Sequence, residues 1–432
     1  MINIRHGFSC PNYEYFYLFV MVIYMAQMTP ATGRMVGTLS GNPIPFLIPI
    51  VLTIILLKRN SISFIHGTLW LFAFVMLIWS GAVCFKFYDF SSSNLSYYFF
   101  LFYAIIIAFI HVRVYGRKLF PIYEHIMVVF SVISLCFWGM GILFPGLSSF
   151  FHSFQETPNG NNVLYLFHWT DPAKCQVYYD IFSRNQGCSW EPGRFAIMLI
   201  PAIYINLSRE SVKFRGNKNI VILLLALAST FSTTGYSIAI ILYFIFWFNR
   251  VNVKSILTFL FIALPLSIHL YSLDFMGEKI QDRADYEGLT NERMEKFNYL
   301  EEDNRDDHLG ALDRFESASF EWLNFQREPL LGYGRNLEHS MFRQEISVNF
   351  YLTGGLVQIF SQYGIFIGLL LYIILLFSSI QISKTFRCQK KFALVIIFLL
   401  ASISYPIFSI PIFTAFWLYG MFCYKERICR IG

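Results

Sequence analysis

The chain has 432 residues, of which 56% are hydrophobic, 19% aromatic and only 14% charged, and its mean hydropathy is +0.51. A soluble protein needs roughly 25% charged residues to cover its surface, so a set of water-soluble domains is excluded, as is a disordered chain. No polar stretch has room for a nucleotide-binding domain of roughly 150 residues, and the net charge of +6 is distributed in a way that leaves no footprint for nucleic acid.

A helix that crosses a bilayer needs about 20 apolar residues. Runs of this character cover residues 13–28, 43–57, 62–84, 95–112, 119–143 and 190–207, then 220–231, 234–248, 255–273, 349–380, 392–404 and 411–424. The expectation is an all-α, polytopic membrane protein of about 12 transmembrane helices. They would form a single membrane domain over residues 1–432. Residues 1–12 are polar and no small-residue cleavage site follows the first run, so no cleavable signal peptide is expected.

One choice sets the topology. Residues 220–248 read either as one long helix or as two short ones broken at Ser232-Thr233-Thr234-Gly235-Tyr236. With two helices, 19 of the 33 basic residues collect on one face, from Lys58 and Arg59 through Arg117 and Lys118 to Lys390, Lys391 and Lys425. The positive-inside rule makes that face cytoplasmic, with both termini on it. A single helix would flip everything after it and break the bias, so two helices are expected. Segments 144–189 and 274–348 then lie outside, the second between the ninth and tenth spans. That larger loop holds 18 of the 27 acidic residues against nine basic ones. The overall +6 is therefore a basic inner face added to an acidic outer loop.

Ionisable residues inside a membrane are costly and are functional candidates by default. Glu124 and His125 begin their span and read as an interfacial pair near the headgroups; His66 and Glu14 read similarly. Glu191 and Arg194 stand apart, in Trp190-Glu191-Pro192-Gly193-Arg194-Phe195-Ala196, where the outer loop enters the sixth span. Pro192 suits the first helical position, whose N–H needs no partner. That puts Glu191 at the cap, near the positive end of the helix dipole. Arg194 lies about 4.5 Å deeper at a rise of 1.5 Å per residue. A structural Glu–Arg pair explains both residues. So does a guanidinium fork offered to a phosphate at the outer membrane surface, with Glu191 holding its orientation.

In the larger loop, Leu312, Phe315, Ser319, Trp322, Leu323 and Gln326 follow helical spacing and give one mainly apolar face, flanked by Arg314. Pro329-Leu330-Leu331-Gly332-Tyr333-Gly334-Arg335-Asn336 follows, a tight glycine turn ending in a second arginine. An amphipathic helix lying on the membrane would bring Arg314 and Arg335 to the headgroups. Each alone reads as a solvated charge; together with Arg194 they form a candidate pyrophosphate site. Asp303-Asn304-Arg305-Asp306-Asp307-His308 contains metal-ligand types, but such runs in loops are ordinarily solvated. Neither a His-x-x-x-His pair nor a Cys-x-x-Cys pair occurs. No metal or other cofactor is expected, and neither a lysine-bearing phosphate loop nor a serine-hydrolase elbow is present. Cys175 and Cys188 share the first outer loop and are a candidate disulfide in an oxidising compartment, one that would contribute roughly 3 kcal/mol.

Four motifs, in order, resemble the O-antigen polymerase (Wzy-type) family of bacterial surface polysaccharide assembly. They are Glu-Pro-Gly-Arg-Phe-Ala (191–196) opening a mid-chain span and Phe-Ser-Thr-Thr-Gly-Tyr (231–236) between two short helices. Arg314 with Trp322 ahead of Pro-Leu-Leu-Gly-Tyr-Gly (329–334), and Gln-Tyr-Gly-Ile (362–365), complete the set. The resemblance covers residues 189–380; the first five spans match in hydropathy alone. It implies a metal-independent membrane glycosyltransferase of the GT-C kind in the bacterial inner membrane. Such an enzyme joins undecaprenyl-pyrophosphate-linked repeat units into O-antigen or capsule-type polysaccharide on the periplasmic face. The same resemblance implies that Arg194, Arg314 and Arg335 neutralise the leaving pyrophosphate. Glu191 becomes the nominee for deprotonating the acceptor hydroxyl, and Tyr236, Tyr333, Asn336 and His339 become substrate contacts. The implied partners are the lipid-linked glycans, membrane lipids and a chain-length regulator protein, with no nucleic acid.

The related O-antigen ligases, which transfer glycan to the lipid A-core, share this layout. They usually carry an arginine where this chain has Thr233 and a histidine where it has Thr353, so both departures favour a polymerase. A precursor flippase or transporter is the reading from another class. It calls for polar middle spans, and for the inverted repeat of many transporters; neither is visible here.

Overall fold

The computed structural model describes residues 2–4, 8–27, 44–62, 64, 66–144, 162–164, 167–169, 184–189, 191–210, 216–247, 314–340 and 355–423. The expected span at 255–273, the carboxylate run at 303–308 and Cys175 lie outside the described residues. Within them the chain is helical, apart from two small antiparallel ladders. These pair β1 (Ile2–Ile4) with β2 (Phe8–Cys10) and β3 (Asn162–Leu164) with β4 (Phe167–Trp169). The helices are α1 (Asn12–Gln27), α2 (Ile44–Asn60), α3 (Gly67–Phe87), α4 (Ser92–Tyr115), α5 (Leu119–Leu143) and α6 (Pro192–Glu210). Then come α7 (Lys218–Ser229), α8 (Thr233–Trp247), α9 (Arg314–Arg327), α10 (Gly355–Thr385), α11 (Ala393–Ser402) and α12 (Pro411–Cys423).

Helix α3 is apolar on its exposed faces as well as on its buried one. Leu69, Phe72, Met76, Trp79, Ser80 and Val83 are buried, at the three- and four-residue spacing of one packed helix face. The rest of its surface is just as apolar: Trp70, Leu71, Phe74, Leu77 and Ile78 are each more than 55% exposed. At about 25 cal/mol per Å² of apolar surface, water would drive such a face against a partner. Hydrocarbon imposes no such penalty. Among the described residues, three helical stretches, Gly67–Phe87, Ser92–Leu143 and Gly355–Thr385, are long and apolar enough to cross a membrane. The second contains α4 and α5, joined by a tight 3-10 turn at Gly116–Lys118. Helices α7, α8, α11 and α12 are apolar but only 12, 15, 10 and 13 residues long.

The chain forms two compact units. The first is Met1–Ile62 with Val114–Ala284 and Ser383–Ile397; the second is Ser63–Arg113 with Asp285–Ile382 and Phe398–Gly432.

In the first unit α6 is the central helix. Every residue from Pro192 to Leu207 except Arg194 is buried, and α5, α7 and α8 pack around it. A helix that is apolar all round requires such enclosure. One end of this bundle is closed by polar groups. Buried Glu124 accepts from Arg209 at 2.6 Å and from Asn206 at 2.7 Å, and Asn217 donates to Asn206 at 2.7 Å. The interfacial Glu124–His125 pair expected from the sequence is therefore not what forms. Consecutive residues do not face one another on a helix, and His125 instead meets the Tyr15 hydroxyl at 2.8 Å.

Residues 218–247 form two helices, as expected, but the break lies earlier than the Gly235 turn. Phe231 takes a positive φ of 47°, and α8 has already begun at Thr233. Gly235 instead serves packing, because a Cβ there would come within 2.8 Å of Ala196 Cβ.

In the second unit, the region read as one continuous span over 349–380 is interrupted. Helix α10 breaks at Gly364, with φ 70° and ψ 175°. Its later half is tied to the buried α12: Ser378 Oγ donates to Trp417 O at 2.6 Å, and Trp417 Nε1 donates to Leu371 O at 2.7 Å.

Candidate functional site

The four sequence motifs meet in two pairs, one pair in each unit. In the first unit, Pro192 is the first residue of α6 and the Phe195 N–H donates to Glu191 O at 3.1 Å, which leaves Glu191 at the cap and half-buried Arg194 in the first turn. The 231–236 motif lies against this turn through the Gly235–Ala196 approach. Arg184, which sequence patterning did not single out, completes the same end. Its Nε and Nη2 donate to the carbonyls of Thr230 and Phe231 at 3.1 and 3.2 Å. These carbonyls lie where α7 ends and lack intrahelical partners. Asn185 ties the same segment to α5 and α7, donating to Ser134 Oγ at 3.3 Å and Ser229 Oγ at 2.8 Å. Tyr236 donates its hydroxyl to Ala228 O across the break. Cys188 carries a free, fully buried thiol, which burial pushes up to about 12.

In the second unit the 329–334 turn docks onto the break in α10. The break frees the carbonyls of Ser361 and Gln362, and these accept from the N–H groups of Tyr333 at 2.9 Å and Gly334 at 3.0 Å. In exchange, the Ile365 N–H, which would reach Ser361 in an unbroken helix, donates to Pro329 O at 2.8 Å. Trp79 Nε1 adds a bond to Leu331 O at 2.9 Å. Both chains need glycine at the crossing. Gly332 and Gly364 have φ of 75° and 70°, and a Cβ on either would collide with a carbonyl oxygen, of Gln362 and Leu330 respectively.

Helix α9, which begins at Arg314, turns a different face inward from the one its apolar spacing indicates. Ser317, Phe320, Glu321 and Asn324 are buried, whereas Trp322 is half exposed. The reason is Glu321. It is fully buried, yet its carboxyl accepts from the Tyr333 hydroxyl at 3.1 Å and from the Ser361 hydroxyl, while Gln362 Nε2 donates to Tyr333 Oη at 3.3 Å. Tyr333 is thus committed to holding the turn on α9 and α10.

Burial lifts the Glu321 carboxyl from 4.5 to about 7. Below pH 4.5 the group is protonated whether the chain is folded or not. Between 4.5 and about 7 only the unfolded chain ionises, so stability falls as pH rises, by about 3 kcal/mol in all. Glu321→Gln keeps an acceptor and removes the titration. Its melting temperature relative to the unaltered protein is expected to rise between pH 5 and pH 8; parallel pH profiles would show an already ionised Glu321.

Beyond the turn, Arg335 is half-buried, and its guanidinium forms no hydrogen bond or ion pair with a described residue. Asn336 and His339 come next and close on Asp89, in the short link between α3 and α4. Asn336 Nδ2 lies 3.1 Å and His339 Nε2 2.9 Å from Asp89 Oδ2, and the Ser91 N–H donates to Oδ1 at 3.0 Å. Ser91, through its hydroxyl and its main chain, then Asn336 and His339, hold the Asp89 carboxyl down at about 2. The Phe87 ring stacks on His339, with centroids 4.3 Å apart and planes within 6°. Asp89 escaped the sequence reading, although Asp89-Phe90-Ser91 has the pattern of an Asx turn. Among the described residues no group of His, Cys, Asp and Glu is arranged to hold a metal. Comparison of the chain with protein-family models and with curated proteins finds no match in either.

Proposed function

We propose that this protein is a membrane glycosyltransferase that polymerises undecaprenyl-pyrophosphate-linked oligosaccharide repeat units on the periplasmic face of a bacterial inner membrane. The reading includes about 12 spans in a GT-C-like arrangement with both termini cytoplasmic. Its supports are the four motifs, their meeting in pairs, and the apolar body. The single observation that carries it is Arg335: a rigidly held turn presents a guanidinium with no counter-charge among the described residues. A planar fork of donors in that state suits a phosphate.

In the reaction, an acceptor hydroxyl oxygen bonds to the anomeric carbon of the growing glycan. The bond from that carbon to the pyrophosphate oxygen breaks, and the pyrophosphate leaves with the electron pair. Arg335 supplies positive charge as the leaving group gains negative charge, a role that the motif resemblance also gives to Arg194 and Arg314. Glu191 at the cap of α6 orients Arg194, and by chain position it is also a candidate to take the hydroxyl proton. Tyr236, a glycan contact by the motif resemblance, keeps that role in the proposal, whereas Asn336 is committed to Asp89.

Surface polysaccharide from cells lacking this chain tests the reading. Single repeat units on the lipid A-core are expected, with the long ladder restored when the chain is resupplied. An undecorated core would point to a ligase or a flippase instead.

A further inference from the structure

We propose that His339, oriented by Asp89, accepts the proton of the attacking hydroxyl at its Nδ1. The inference rests on the polymerase reading and gives that site its base.

The geometry sets the tautomer. At neutral pH the Asp89 carboxylate is ionised and can only accept, so the ring nitrogen 2.9 Å from it, Nε2, must carry the hydrogen. With a single proton, on Nε2, the ring has its lone pair on Nδ1. That nitrogen is buried and has no hydrogen-bond partner among the described residues, in a side chain only 8% exposed. Buried polar atoms are nearly always partnered, and one that is not is suited to a donor that a bound molecule brings. A hydroxyl group, donor and acceptor in one, fits an imidazole lone pair.

The surroundings hold the ring for this task. Asp89 is itself fixed by Ser91 and Asn336. Phe87 lies flat against the imidazole, and an aromatic face favours the cation formed when Nδ1 gains a proton. Lys86 Nζ sits 5.1 Å from the Phe87 ring centroid and pairs with Glu328, which offsets its charge. Arg335 lies four residues before His339 on the same short segment. A phosphate-binding cation and a proton acceptor thus share one stretch of chain.

The step balances. The hydroxyl proton moves to His339 Nδ1 as its oxygen bonds to the anomeric carbon, and the carbon–oxygen bond to the pyrophosphate breaks with its electrons leaving on phosphate. Asp89 stays ionised and stabilises the imidazolium; it is a positioning residue. Glu191 keeps the orienting role beside Arg194.

The test uses full-length protein in lipid nanodiscs, with lipid-linked repeat units extracted from cells lacking the chain. His339→Ala is expected to slow elongation about 100-fold or more while donor lipid still binds, and added imidazole should restore part of the rate. Asp89→Asn should lower kcat with little change in KM for the donor. Full activity of His339→Ala, or a loss that imidazole does not relieve, overturns the proposal while leaving the polymerase reading intact. Unaltered protein that binds the lipid and never elongates it overturns that reading, and the proposal with it.

Discussion

Valine in place of Gly364 is expected to eliminate long-chain glycan and to destabilise the protein. The left-handed backbone at φ 70° excludes a β-branched residue, and any Cβ would strike the Leu330 carbonyl oxygen. Relief requires the 329–334 turn to lift off α10. Three main-chain bonds would go with it, those of Ile365 with Pro329, Tyr333 with Ser361 and Gly334 with Gln362. Backbone strain and lost bonds together put the effect at about 3 kcal/mol or more. Glu321 would be left buried without Tyr333, and Arg335 would lose its fixed position. Thermal melting and protease sensitivity near residues 329–340 measure the change. Gly81→Ala in α3 is the control, since a Cβ there meets nothing within 4 Å. Equal melting and equal glycan ladders for the two variants would mean that the docked turn is dispensable.

Alanine in place of Arg335 is expected to remove long-chain glycan without that loss of stability. Its guanidinium contributes no bond to a described residue, so folding has little to lose. The transition state has much to lose, because removing one donor to a developing oxyanion costs about 100- to 1,000-fold in rate. Arg335→Lys should recover little, since a single ammonium cannot reproduce two parallel donors. Arg194→Ala and Arg314→Ala are expected to behave alike in activity. A drop in activity with unchanged melting separates lost chemistry from lost folding, which the Gly364 variant alone cannot do.

These two residues also mark how far the sequence could be read. Short motifs rich in glycine and arginine were visible because their residue types are rare in apolar helices, and Pro192 at the start of α6 lies where its missing N–H demands. The pairing of motifs was not legible. Residues 332 and 364 approach through main-chain atoms and positive φ values, which leave no hydropathy signal. The buried face of α9 was misjudged for a related reason. Apolar periodicity treats Glu321 as solvent-facing, whereas its partners Tyr333 and Ser361 come from two other segments. Likewise Glu124 finds Arg209 rather than its neighbour His125, and Asp89 finds a histidine 250 positions away. Among the described residues, helix existence followed from local pattern; polar contacts over long sequence separations did not.

The most direct measurement is elongation by the purified protein in nanodiscs, given only lipid-pyrophosphate-linked repeat units, beside its Arg335→Ala variant. A ladder of lengthening glycan from the unaltered protein, absent from the variant at equal melting temperature, is the expected result. No ladder from the unaltered protein, or an undiminished ladder from Arg335→Ala, would contradict it.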